Sequence, residues 1–321
     1  HDGSLGLAHS YIDSLKDTGV DAVKFQIHIA EAESSIYEDF RVKFSYEDSS
    51  RFDYWKRMQF SKKQWIELKN HCEDVGLEFL ASPFSSVAVD LLEEIGVKRY
   101  KVGSGEVSNL LMLEKIAKTG KPIILSSGMS SYIELDRTIS FLKNFDNTIC
   151  ILQCTTAYPT KSDEWGLNVI SELKKKYNLS IGFSDHSGDI YACLAATALG
   201  AEILEFHVVF DKRQFGPDST SSITIDRVKE LVTGVREIYN SLNNPIDKNH
   251  NSKFNNLKIL FEKSLAVNKS LKKGHKISFD DLEAKKPSNY GILASDYISV
   301  IGKELLVDKN KWDFINNHDI K

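Results

Sequence analysis

Short apolar runs alternate with longer amphipathic stretches along most of this chain. In residues 21–27 (DAVKFQI), Lys24 and Gln26 interrupt apolar residues at every second position, the period of a strand. Further strands are predicted at 77–81, 99–102, 122–125, 148–153, 179–183 and 202–207, and 122–125 is uninterrupted apolar, as a parallel strand covered on both faces is. Between them lie helical periods. Residues 3–18 put Leu5, Leu7, Ala8, Tyr11, Ile12 and Leu15 on one stripe. Residues 61–75 open on Ser61, a good N-cap, and further helical periods cover 87–95, 109–119, 132–142, 168–177, 190–199 and 225–242. Gly19 and Gly120 sit where helices close in the left-handed conformation.

This gives eight helices and seven strands, opening on a helix. Strict alternation predicts an α/β fold with a parallel sheet and right-handed crossovers. Eight helices predict a (β/α)8 TIM barrel whose first strand lies upstream of His1; the chain starts without methionine and reads as one whose natural start is missing. The rival is an open doubly wound sheet, and no Gly-rich dinucleotide turn follows the first strand to support it. Residues 30–60 are polar and aromatic without a period, which predicts a functional loop with short local helices. The expected domains are a barrel over 1–243, an Asn- and Lys-rich linker over 244–256, and a small unit of short strands and turns over 257–321 that caps a barrel.

Apolar residues make up 41% of the chain, enough for a full core, and no apolar run reaches membrane-spanning length. A net charge of −4 with mixed signs argues against a general nucleic-acid binder. Cys72, Cys150, Cys154 and Cys193 form no CxxC and no paired framework, which fits a reduced cytoplasmic setting.

The candidate chemistry gathers at strand ends, where parallel α/β proteins place their sites. Residues 101–129 run one strand into Gly103-Ser104-Gly105-Glu106, cross a helix, and end the next strand in Ser126-Ser127-Gly128. A lysine, bare backbone amides and hydroxyls from neighbouring strands are what a phosphate needs. Lys24 and Lys101 both lie on predicted strands, and a buried lysine is costly without an anion. Three readings are open: a barrel glutamate as partner, a bound phosphate or carboxylate beside Ser104, Ser126 and Ser184, or a Schiff-base lysine. His186 and His207 end adjacent late strands, either as core histidines or as two ligands of one divalent metal. Glu106 is a proton donor or acceptor, a sugar contact, or a solvated loop carboxylate. Asp218 is a turn residue or a substrate ligand, and Tyr158 before Pro159 is read equally as packing. These residues point to a metal-assisted barrel enzyme acting on a phosphorylated or carboxylated small molecule, and they leave the reaction open.

The motifs HDGS at His1, DAVKFQ at Asp21, LASPFS at Leu80, YKVGSGE at Tyr100, KPIILSSGM at Lys121, QCTTAYP at Gln153, IGFSDHS at Ile181, ALGAEILEFH at Ala198 and GPDS at Gly216 together resemble the N-acetylneuraminate (sialic acid) synthase family, makers of nonulosonic acids. The tail LKKGHKISFDDLEAKKPSNYGI resembles that family's C-terminal antifreeze-like (SAF) domain. The resemblance implies condensation of phosphoenolpyruvate with an N-acetylated aminosugar such as N-acetylmannosamine, with release of phosphate. It also implies a divalent metal, Mn2+ or Mg2+, held by His186 and His207, and phosphoenolpyruvate held by Lys24, Lys101, Ser104, Ser126 and Ser184. Gln26, Glu106, Tyr158 and Asp218 would face the sugar or handle protons, joined by Lys286 of the partner subunit in a domain-swapped homodimer. Three features depart from the pattern. The glutamate and asparagine expected before HDGS lie outside the sequence, Thr156 stands where sialic acid-forming bacterial members tend to have asparagine, and Lys286 stands where arginine is common. Lysine lacks arginine's planar fork. The last two changes touch the acceptor, so a legionaminate or pseudaminate synthase using a 2,4-diacetamido hexose is the alternative, with a Schiff-base aldolase behind it.

Overall fold

The structure is a computed structural model describing residues 1–321. It divides into two compact units, His1–Asn244 and Pro245–Lys321. No helix is long and apolar enough to cross a membrane.

The first unit runs α1 (Leu5–Leu15), β1 (Ala22–Ile27), α2 (Ala30–Glu33), α3 (Arg51–Met58), α4 (Lys62–Asp74), β2 (Glu78–Pro83), α5 (Ser86–Ile95), β3 (Tyr100–Val102), α6 (Leu110–Ala117), β4 (Ile123–Ser126), α7 (Tyr132–Leu142), β5 (Ile149–Cys154), α8 (Leu167–Tyr177), β6 (Ser180–Asp185), α9 (Tyr191–Ala198), β7 (Leu204–Phe206), β8 (Val208–Val209), β9 (Ile223–Thr224) and α10 (Ile225–Asn243). Strands β1 to β7 form one parallel sheet in sequence order, with Lys24 opposite Leu80, Lys101 opposite Ile124 and Ser184 opposite Cys154. The sheet is curled: Lys24 on β1 and Lys101 on β3 both reach Glu205 on β7.

The helix boundaries follow local chemistry. Ser61 and Ser131 each accept from the backbone of Gln64 and Glu134, whose side chains bond back, so α4 and α7 open on capping boxes. Gly96 and Gly120 close α5 and α6 at φ 81° and 71°, a region side chains avoid. The helices cover one face of the sheet. There Trp65, Leu92, Leu113, Ile139 and Leu173 pack with outward strand residues such as Phe25, Ile123, Ile151 and Phe183 in one core. Truncating one of these leucines to alanine is expected to cost about 2–5 kcal/mol. On the other face Leu80, Ile124, Cys150 and Leu152 form a small apolar plug, flanked by Ala22 and Ile203.

One feature escaped the sequence pattern and one agrees with it. The two-residue strands β8 and β9 pair in parallel, and they are too short to carry a period. The expected local helices in 30–60 are α2 and α3.

In the second unit, α11 (Asn255–Phe261) is followed by β10 (Ser264–Val267) and β11 (Leu282–Lys285), an antiparallel pair, and then by turns and isolated bridges. Its core is Leu265, Val267, Leu271, Ile277, Val300, Leu305, Ile315 and Ile320. Helix α11 begins inside the segment read as linker.

Candidate active site

Alternation along each strand sends small and charged residues to the face opposite the helices. On β1, Val23, Phe25 and Ile27 are buried toward the helices, so Lys24 and Gln26 face the other way. On β3, Tyr100 reaches outward to Glu93 of α5 through a 2.6 Å hydrogen bond, which turns Lys101 inward. Above the apolar plug, toward the C-terminal strand ends, the inward face therefore changes character.

Glu205 is the centre of this layer. Its carboxylate lies 3.2 Å from Lys101 Nζ and 3.7 Å from Lys24 Nζ, and it accepts a 2.7 Å hydrogen bond from Ser184 Oγ. Burial alone would raise its pKa, but Lys101, Lys24 and Ser184 outweigh burial and hold it well below the usual carboxylate range. Burial lowers the pKa of Lys24 against the pull of Glu205. Both lysines thus share the barrel-type glutamate that the sequence left as one of three readings. One carboxylate for two ammonium groups leaves the layer short of negative charge.

Beside it, Ser104 Oγ accepts from Gly128 N at 3.2 Å and lies 3.2 Å from Cys154 Sγ. A Cβ on Gly128 would collide with Ser104, Cys154 and Thr156, which explains the bare backbone there. Burial pushes the Cys154 thiol up. Ser126 Oγ is buried with no hydrogen-bond partner, an open valence in a polar layer.

Across the mouth, the His186 and His207 ring centroids are 5.2 Å apart, and Tyr158 lies 4.4 Å from His186. His186 Nδ1 lies 3.2 Å from Thr155 O; donation to that carbonyl leaves Nε2 with a free lone pair. Burial, with His207 beside it, lowers His186 to about 4, so it is neutral at pH 7. Burial also lowers His207. A neutral imidazole with Nε2 left free, next to a second histidine, suits a divalent ion. No group of three or more His, Cys, Asp or Glu side chains gathers there, so residues 1–321 offer these two histidines as ligands.

Arg41, from the loop without a period, donates to Asp218 Oδ1 at 2.7 Å and lies 4.1 Å over the Tyr158 ring. Burial, then Asp218, pushes the Tyr158 hydroxyl up to about 12. Glu106 accepts from Asn109 Nδ2 at 2.7 Å; burial raises its pKa, and the charge of Glu33 adds to that. The same loop carries Trp55, which stacks on His28 at 3.8 Å, while Phe84 covers the opposite side at 4.4 Å. A cavity of about 1480 Å3 is lined by Lys24, Gln26, Glu106, Tyr158, His207 and Asp218, and by Glu205, Arg41, His28 and Trp55, which sequence reasoning did not single out. It continues between β1 and β7, past Ala22 and Leu204. Lys286 lies in the second unit, 4.8 Å over the Phe261 ring.

The NeuB family model matches residues 11–247. The chain is 37% identical over 309 residues to N,N'-diacetyllegionaminic acid synthase of Campylobacter jejuni, covering 94% of this chain and 92% of that protein. It is 32% identical over 336 residues to human N-acetylneuraminate-9-phosphate synthase, covering all of this chain and 91% of the relative. The crystal structure of N-acetylneuraminic acid synthetase from Leptospira borgpetersenii superposes with a TM-score of 0.70 at 30% identity, over 80% of this chain and 86% of that one. A family match that takes in the whole sheet, with named synthases aligned nearly end to end, makes this chain an enzyme of the NeuB family.

Proposed function

We propose that this enzyme is a nonulosonic acid synthase that condenses phosphoenolpyruvate with an N-acetylated aminosugar and releases phosphate. The observation that carries the reading is the Lys24–Glu205–Lys101 triad with its surplus positive charge, set beside two neutral histidines. Lys24, Lys101, Ser104, Ser126 and Ser184 hold the phosphate and carboxylate of phosphoenolpyruvate, and the unsatisfied Ser126 hydroxyl supports this. The C3 of phosphoenolpyruvate forms a bond to the aldehyde carbon of the open-chain sugar; water then adds at C2 and the C–O bond to phosphate breaks.

His186 and His207 hold a divalent ion, Mn2+ or Mg2+. When bound, that ion supplies Lewis-acid polarisation of the aldehyde oxygen. Glu106, its pKa raised by burial, is suited to hold and pass a proton. Tyr158 keeps its proton at pH 7 and donates a hydrogen bond, while Gln26 and Asp218 face the sugar.

Between N-acetylmannosamine and a 2,4-diacetamido hexose, two observations favour the second. The relative that makes diacetyllegionaminic acid aligns at 37% identity, and Thr156 lines the cavity where sialic acid-forming bacterial members tend to have asparagine. The seven strands are read as part of a (β/α)8 barrel, closed by a strand between β1 and β7 where the cavity opens. The second unit is read as the antifreeze-like cap, exchanged in a homodimer so that Lys286 of the partner subunit meets the sugar; its short strands and turns support this.

The test is phosphate release by the full-length protein with Mn2+, comparing the two sugars with and without chelator. Chelator-sensitive release faster with the diacetamido hexose is expected. Faster release with N-acetylmannosamine would move the acceptor. No release with either sugar, together with borohydride trapping of pyruvate on Lys24 or Lys101, would replace the reaction with Schiff-base chemistry.

A further inference from the structure

A second pair of histidines lies between α1 and α4, and neither lines the cavity. Helix α1 supplies His9 and Asp13, and α4 supplies Glu67 and His71. Each pair is four residues apart, hence on one helix face. His9 Nδ1 and His71 Nδ1 are 2.7 Å apart. His9 Nε2 is 3.2 Å from Glu67 Oε1, and His71 Nε2 is 3.3 Å from Asp13 Oδ1. Three polar contacts therefore stand in a row: Glu67 to His9, His9 to His71, His71 to Asp13.

Each contact joins two atoms that carry lone pairs, so each needs one hydrogen or cation between them. Two neutral imidazoles have only two N–H groups. Carboxylates only accept, so those two hydrogens belong on the Nε2 atoms. That sets the two Nδ1 lone pairs against each other, one positive centre short.

We propose that this gap takes a divalent transition-metal ion, bound by His9 Nδ1 and His71 Nδ1, with Glu67 and Asp13 orienting the rings through Nε2–H. Imidazole suits zinc, copper and nickel, and a carboxylate behind a ligating histidine fixes its tautomer and raises its basicity. At zinc–nitrogen distances of about 2.0–2.1 Å, two tetrahedral ligands stand roughly 3.4 Å apart, so the Nδ1 atoms must part by about 0.7 Å. Both rings are about a quarter exposed, 25% and 22%, and have room to turn. Water completes the shell, because no third protein ligand converges there. The ion adds a link between α1 and α4, which already meet through packing and through the two histidine–carboxylate contacts.

The experiment is equilibrium dialysis of the full-length protein against Zn2+, with bound metal counted by elemental analysis. The wild type is expected to hold one ion per chain more than the His9→Gln/His71→Gln variant, and the His186→Asn/His207→Asn variant is expected to keep that ion. Equal counts in the wild type and the His9→Gln/His71→Gln variant would overturn the proposal and leave a shared proton in the gap. Glu67→Gln leaves both imidazoles and the helix register in place. It is expected to weaken zinc binding at this site about tenfold or more. An unchanged zinc Kd in that variant overturns the orienting role, and with the double variant unfolded it overturns the site.

Discussion

Glu205 in the first unit and Asp281 in the second are both carboxylates held well below the usual range against a burial that would raise them, and they differ in what surrounds them. Glu205 meets two ammonium groups and one hydroxyl, and its layer borders a cavity. Asp281 meets Lys269 at 2.7 Å and His275 at 2.7 Å, and it accepts from Ser278 N at 2.8 Å and Ser278 Oγ at 2.9 Å, closing a short capped turn. Its side chain is 3% exposed, and both oxygens are engaged. The first arrangement sets one carboxylate against two lysines, while both oxygens of the second are fully engaged. An unbalanced charge centre beside open space suits a ligand, as the proposed function requires, and a saturated one suits a structural clasp.

The largest effect expected from breaking this contrast is Glu205→Gln. It leaves Lys24 and Lys101 facing each other without a counter-charge, a loss of about 3–5 kcal/mol for a buried pair stripped of one partner. Urea unfolding followed by circular dichroism reads it. Lys101→Met should separate function from stability. Glu205 keeps Lys24, so the unfolding midpoint is expected to stay close to the wild type, while phosphate release falls about 100-fold as half of the anion clamp is lost. If Lys101→Met unfolds the protein and spares turnover, the two lysines are structural partners of Glu205 and the anion site is wrong.

Asp281→Asn comes next, with no change in turnover per folded molecule and a loss of about 1–3 kcal/mol in the second unit, the cost of weakened hydrogen bonds to a buried charge. Hydrogen exchange over residues 264–285 localises it. The pH dependence has a definite sign. A carboxyl held low when folded contributes stability above its unfolded value, near about 3.9, and loses it as pH falls toward the folded value, because the unfolded chain takes up the proton first. Asp319, held low by Lys309 against its own burial, acts in the same direction. Protection from exchange in the second unit, taken relative to the intrinsic amide rate, is therefore expected to fall below about pH 4, and Asp281→Asn should flatten that limb.

How much of this could be seen in the sequence depends on how local each signal is. The seven sheet strands and the helices between them were legible because apolar runs, Ser caps and closing glycines act within a few residues. The inward turn of Lys24 and Lys101 followed from period two. Glu205 was harder: a glutamate inside ILEFH was a signal, since a charge on a buried strand needs a partner, but nothing in the sequence said that both lysines would choose it. Arg41 was illegible, because its partner Asp218 lies 177 residues away and its own segment has no period. His9 and His71, 62 residues apart on different helices, meet only because α1 packs on α4.

The smallest effect is expected at Asp211, which completes the comparison. Its carboxyl is also held well below the usual range, here by Arg213, which approaches through Nε at 2.9 Å and Nη2 at 2.6 Å and adds its backbone N–H. Arg213 is 90% exposed, so water and salt compete for both charges and ordering two long side chains costs what the attraction returns. A low carboxyl pKa therefore arises in three different surroundings in one chain: between two lysines beside a cavity at Glu205, in a saturated turn at Asp281, and in an exposed local pair at Asp211. Arg213→Ala is expected to raise the Asp211 titration midpoint, read by carboxyl carbon NMR, and to leave the unfolding midpoint and turnover unchanged at low and high salt alike. A drop in stability at low salt that vanishes at high salt would show that the exposed pair holds its loop, and burial would no longer be what separates the three carboxylates.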